Sequence, residues 1–143
     1  RHPEAIVVAG RPVPDELATP PAHLPPDAKE FWKDSIVKLA EAGIVDFVDI
    51  PAFEMLATQY ARVREAGRVV AKEGHFVLGS VGQPREHPAL RIERDATKEF
   101  LKLAEHFALT PVARTRLGLA GLQAKTMAAE MDDTLGKPNL TPA

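Results

Sequence analysis

There is no cysteine anywhere in the 143 residues. Disulfides, thiolate metal sites and a cysteine nucleophile are thereby excluded, and the composition suits a reducing intracellular setting. No apolar run approaches the roughly 20 residues of a membrane-spanning helix, and the apolar part of the opening RHPEAIVVAGRPVP is too short for a signal peptide. A soluble protein of the cytoplasm is expected. The chain starts at Arg1 rather than Met, which leaves room for residues before it. Motifs of known chemistry are missing as well: there is no GxSxG, no HExxH and no glycine-rich dinucleotide fingerprint. GSVGQ at residues 79–83 has the look of a phosphate loop, but no Lys follows its second glycine. His2, His23, His75, His87 and His106 are scattered, with no pair at helical spacing. The pairs Asp46/Asp49 and Asp132/Asp133 suit helix caps and solvated ends better than a divalent ion. No cofactor, metal or catalytic residue is expected, and the protein is not expected to be an enzyme.

What is present is unevenly distributed charge on a chain about one domain long. The net charge is only −2. Residues 1–60 nevertheless carry five Lys/Arg against ten Asp/Glu, residues 61–125 twelve against seven, and residues 126–143 one against three. An acidic front and a basic middle polarise the surface, which serves either anion binding or attraction between subunits.

Thirteen prolines punctuate the chain. Pro3, Pro12, Pro14, Pro20, Pro21 and Pro25 lead to the expectation that residues 1–25 form an extended tail without a helix, its apolar patch at 6–9 pairing or docking. Pro26 and Asp27 then suit the first turn of a helix that buries Phe31, Trp32, Ile36 and Leu39 and stops at Gly43. Trp32 is expected to anchor the core. A second, long helix is expected from about Pro51 to Glu73, with Asp46 and Asp49 competing to cap it. At about 1.5 Å per residue it spans roughly 35 Å, more than so small a chain needs for its own core, and so it invites a partner. Phe76, Val77, Leu78 and Val81 between glycines read as a short hairpin or ordered loop.

The segment HPALRIERDATKEFLKLAEHFALTPVARTRLG follows. Ile92, Ala96, Phe100, Leu103 and Phe107 recur at three- and four-residue spacing and define one packing face, while Thr110 and Pro111 cap and open a further helix. That helix is expected either to be short or to break near Gly118 and Gly121. Helix, tight turn and helix is also the outline of a helix-turn-helix, with Leu103-Ala104, Phe107-Ala108-Leu109 and Leu117 at packing positions, although Arg114 falls where such a unit places an apolar residue. The fold expected is all-α: a helical bundle with a long central helix, a hairpin or loop insertion and a candidate helix-turn-helix. Its parts are a tail over 1–25, a domain for DNA binding and oligomerisation over 26–131, and a flexible tail over 132–143.

Several marks taken together resemble the bacteriophage terminase small subunit. They are Pro25-Pro26 ahead of Trp32, Gly43 with Asp49 following, Tyr60 in the long helix, Gly74 and Gly82, His87-Pro88 and, above all, LAEHFALTPVARTRLG. Two positions depart from that pattern: His87 stands where Asn is expected before the proline, and Ala108 where Gly is expected. The resemblance implies a non-catalytic, ring-forming homo-oligomer in the host cytoplasm. It would recognise the packaging site on double-stranded viral DNA and recruit and regulate the large terminase subunit, which holds the ATPase and nuclease. Phosphate contacts repeated by symmetry would supply DNA affinity despite the near-neutral subunit. The candidates are Arg64, Arg68 and Lys72 on the long helix, Arg91, Arg94 and Lys98 on the next, and Arg114 with Arg116. The alternatives are a dimeric helix-turn-helix transcription regulator and a structural viral oligomer.

Overall fold

A computed structural model describes residues 12–135, and the architecture below concerns those residues. The patch at 6–9 and residues 136–143 of the expected C-terminal tail lie outside them. Among the described residues the order is α1 (Asp15–Ala18), α2 (Pro26–Glu41), a 3-10 turn (Phe47–Asp49), α3 (Ile50–Glu73), β1 (Phe76–Leu78), β2 (Pro84–Glu86), α4 (Pro88–His106) and α5 (Pro111–Leu135). The described residues are all-α apart from one small hairpin. Two compact units divide at Phe107/Ala108.

In the first unit, α3 is the spine. Phe53, Leu56, Ala57, Ala61, Ala66 and Val70 are buried along it. Helix α2 lays Trp32, Ile36 and Leu39 inward, with Trp32 edge-on to Phe53 at 4.9 Å and Phe31 stacked on Tyr60 at 4.8 Å. Burying side chains such as Trp32, Ile36, Phe53 and Leu56 contributes on the order of 1.5–3 kcal/mol each. Helix α4 returns antiparallel to α3: Phe107 meets Phe53, Phe100 meets Tyr60, and Ala89 packs with Ala66 and Val70. The two helices pass closely at Gly67, where an added Cβ would sit 3.3 Å from Glu93 Oε1.

Local chemistry sets the ends of these elements. Gly43, at φ 71°, closes α2 as Gly43 N–H donates to Ala40 O and Ile44 N–H to Leu39 O. Neither aspartate caps α3 with its side chain. Asp46 Oδ1 accepts from Phe47 N–H at 2.7 Å and Asp49 Oδ2 from Asp46 N–H at 2.9 Å, so both acids serve the 3-10 turn that delivers the chain to Pro51. The hairpin pairs Phe76 with Glu86, Val77 with Arg85 and Leu78 with Pro84. Thr110 accepts from Ala113 N–H at 3.2 Å and caps α5, which continues through Gly118 and Gly121 to Leu135 without a break.

Three further expectations are corrected. The segment before α2 is not wholly extended: between Pro14 and Pro20 lies a proline-free window long enough for one helical turn, and Asp15 and Glu16 favour its start. Leu17 and Leu24 are buried, and Leu17 O accepts the Trp32 indole N–H at 3.0 Å, so this stretch covers the bundle. Ile92 is 53% exposed, because α4 packs through Ala89, Ala96 and Ala104 and these small residues rotate the contact towards Glu93 and away from Ile92. Leu117 is 51% exposed rather than packed, since beyond Ala113 every side chain described on α5 faces solvent.

Candidate nucleic-acid interface

Arg64, Arg68 and Lys72, spaced by one helical turn each on α3, are all exposed. They are not equivalent. Arg68 forks onto Asp27 at the start of α2, Nη1 to Oδ1 at 3.2 Å and Nη2 to Oδ2. That hydrogen bonding is the main cause of the Asp27 carboxyl lying below its ordinary value, against opposing desolvation and with help from the charges of Arg68 and Arg64. The same bond raises the Arg68 guanidinium. The middle of the row is therefore neutralised and ties α2 to α3, while Arg64 and Lys72 remain open on either side.

On α4, Arg94 Nη2 reaches Glu86 Oε1 of the hairpin at 3.0 Å and Arg91 lies 3.8 Å from Asp95. Lys98 is exposed and, among the described residues, holds no ion pair. No hydrogen bond or ion pair among the described residues joins the α3 row to the α4 row. In the second unit, Arg114 Nη1 donates to Leu109 O at 3.1 Å and approaches Ala108 O at 3.5 Å. This accounts for an arginine where an apolar residue was expected: its guanidinium closes the turn ahead of its own helix. Arg116 is exposed and has no ion pair among the described residues.

The eight candidates thus divide into four engaged cations, Arg68, Arg91, Arg94 and Arg114, and four open ones, Arg64, Lys72, Lys98 and Arg116. Spacing missed Arg62 on α3 and Arg85 on β2, both exposed. Neither extends a four-residue row, so periodicity carried no signal for them. Among the described residues no group of three His, Asp or Glu is placed to hold a metal ion, and no helix is long and apolar enough to cross a membrane.

The two residues that depart from the resemblance both hold turns. His87 is 7% exposed, and its Nδ1 accepts from Ala89 N–H at 3.0 Å, the cap an Asn side chain would make. Ala108 has φ 52°, a left-handed conformation that glycine adopts without strain.

Fold and surface together define an all-α protein that presents open cations on its long helices. The chain belongs to the phage terminase small-subunit family: the family described as phage terminase, small subunit, matches residues 28–124, more than half of its length. Its role therefore lies in phage DNA packaging, within a family that is generally non-catalytic. No curated protein and no solved structure matches the chain.

Proposed function

We propose that the protein assembles as a ring-shaped homo-oligomer in the host cytoplasm, recognises the packaging site on double-stranded phage DNA, and recruits and regulates the large terminase subunit that carries the ATPase and nuclease. Family membership over residues 28–124 is the observation that carries this reading. Residues 26–131 form the DNA-binding and oligomerising part. The open cations Arg64, Lys72, Lys98 and Arg116 take phosphate contacts. The engaged cations Arg68, Arg91, Arg94 and Arg114 hold the helices, hairpin and turn that present them. A ring multiplies a few contacts per subunit into useful affinity, so the net charge of −2 is no obstacle. Heterologous contacts repeated around a ring also let an acidic edge of one subunit meet a basic edge of the next.

Solution mass and DNA binding at two salt concentrations test this together. A many-subunit species whose DNA affinity drops steeply with salt is expected. A monomer or dimer at working concentration, or DNA binding indifferent to salt, would overturn it.

A further inference from the structure

We infer that the run Ile6-Val7-Val8-Ala9 docks, in its own chain, into the groove at the end of α2 and covers Phe47 and Val48.

The groove holds about 240 Å³, and its walls include Leu17 of α1, Ala40 and Gly43 at the end of α2, and Val45 and Phe47 on the way into α3. Asp46 is the one charged side chain among its lining residues, and that carboxylate already accepts the Phe47 N–H. Such walls offer water few partners, although the volume equals about eight waters' share of the liquid. Phe47 is 45% exposed and Val48, beside it, 84%. The surface is therefore built to take apolar side chains.

The position of the chain names the occupant. Pro12, where the described residues begin, forms part of the groove wall. Ala9 to Ile6 stand only three to six residues from it, within roughly 10–20 Å even if fully extended. The hairpin also exposes apolar side chains, Phe76 by 71% and Leu78 by 79%. It follows α3, however, whereas Phe47 precedes it, and 24 residues of helix, roughly 35 Å, lie between. The run cannot span that distance in its own chain. A second copy's run would have to compete with one tethered beside the groove at an effective concentration of roughly millimolar order.

The chemistry of the run agrees. None of its four side chains carries a charge or a hydrogen-bonding group. Ile6, Val7 and Val8 are β-branched and have little rotamer freedom to lose on docking. Gly10 lets the chain turn back on itself, while Pro12 and Pro14 restrict the backbone that carries it.

With no native cysteine, introduced thiols report cleanly. In the full chain, Val48→Cys should react slowly with iodoacetamide, and adding Val7→Asp with Val8→Asp should speed the reaction several-fold. Under mild oxidation, at least one of Ile6→Cys, Val7→Cys and Val8→Cys combined with Val48→Cys should bridge within one chain, migrating faster on a non-reducing gel at unchanged mass. The same three combined with Phe76→Cys should not. An unchanged alkylation rate in the aspartate variant, or no bridge to position 48 in a protein of unchanged helix content, would overturn the docking. A bridge from the run to position 48 found only between two chains would overturn it as well, and would report that the run occupies the groove of a second copy.

Discussion

Glu73 ends α3, His87 stands just before α4, and their side chains meet with His87 Nε2 2.8 Å from Glu73 Oε2. Because Nδ1 accepts the Ala89 N–H, the ring proton belongs on Nε2, where it is donated to the carboxylate. One imidazole thus caps α4 and clamps the two ends of the hairpin insertion. His87→Ala removes both bonds and should cost about 1–2 kcal/mol in urea unfolding. His87→Asn keeps the cap and should cost about 1 kcal/mol less than the alanine variant. Equal losses would show that the cap does not matter.

Ala104 and Ala108 are both 2% exposed but differ in backbone. Ala104 lies inside α4, whereas Ala108 is left-handed at φ 52°. Ala104→Gly loses a buried methyl and about 1 kcal/mol of helix propensity. Ala108→Gly loses the same methyl and relieves about 1–2 kcal/mol of left-handed strain. The Ala108 substitution should therefore be milder by at least about 1 kcal/mol in thermal or denaturant unfolding. The opposite order would contradict the strain.

The Asp27–Arg68 fork gives stability a defined acid limb. Because the folded Asp27 carboxyl titrates below its ordinary value of 3.8, the unfolded chain binds the proton first. The contribution is complete above that ordinary value and is lost as pH falls through the depressed one. Asp27→Asn should remove this part of the acid dependence while leaving the neutral-pH fold intact. An unchanged acid limb would show that the ion pair is not formed. High salt should shorten the limb only partly, since Arg68 is 58% exposed and Asp27 20%.

The helices were legible in the sequence because proline, glycine and apolar spacing agree at Pro26, Gly43, Pro51, Gly74, Pro88 and Pro111. What was not legible depended on tertiary context. The turn at α1 hides among prolines, and Ile92 follows the helical period yet falls outside the contact because alanines set the packing face. For the candidate site, spacing found the rows of cations but could not tell open from engaged ones. Asp27 lies far from Arg68 in sequence, and Arg114 bonds backbone carbonyls that no pattern marks. The roles of His87 and Ala108 are visible only from a ring nitrogen's partner and a dihedral angle.

The central claim is that open cations on the long helices carry DNA binding, and the salt dependence of binding tests it most directly. The slope of log affinity against log salt should be measured for the native chain, for Arg64→Ala/Lys72→Ala/Lys98→Ala, and for Arg91→Ala/Arg94→Ala. The first variant should lose about 0.9 in slope for each phosphate contact removed, and the second should keep a near-native slope because its arginines already face Asp95 and Glu86. A native slope in the folded triple variant, or a larger loss in the double variant, would contradict the account.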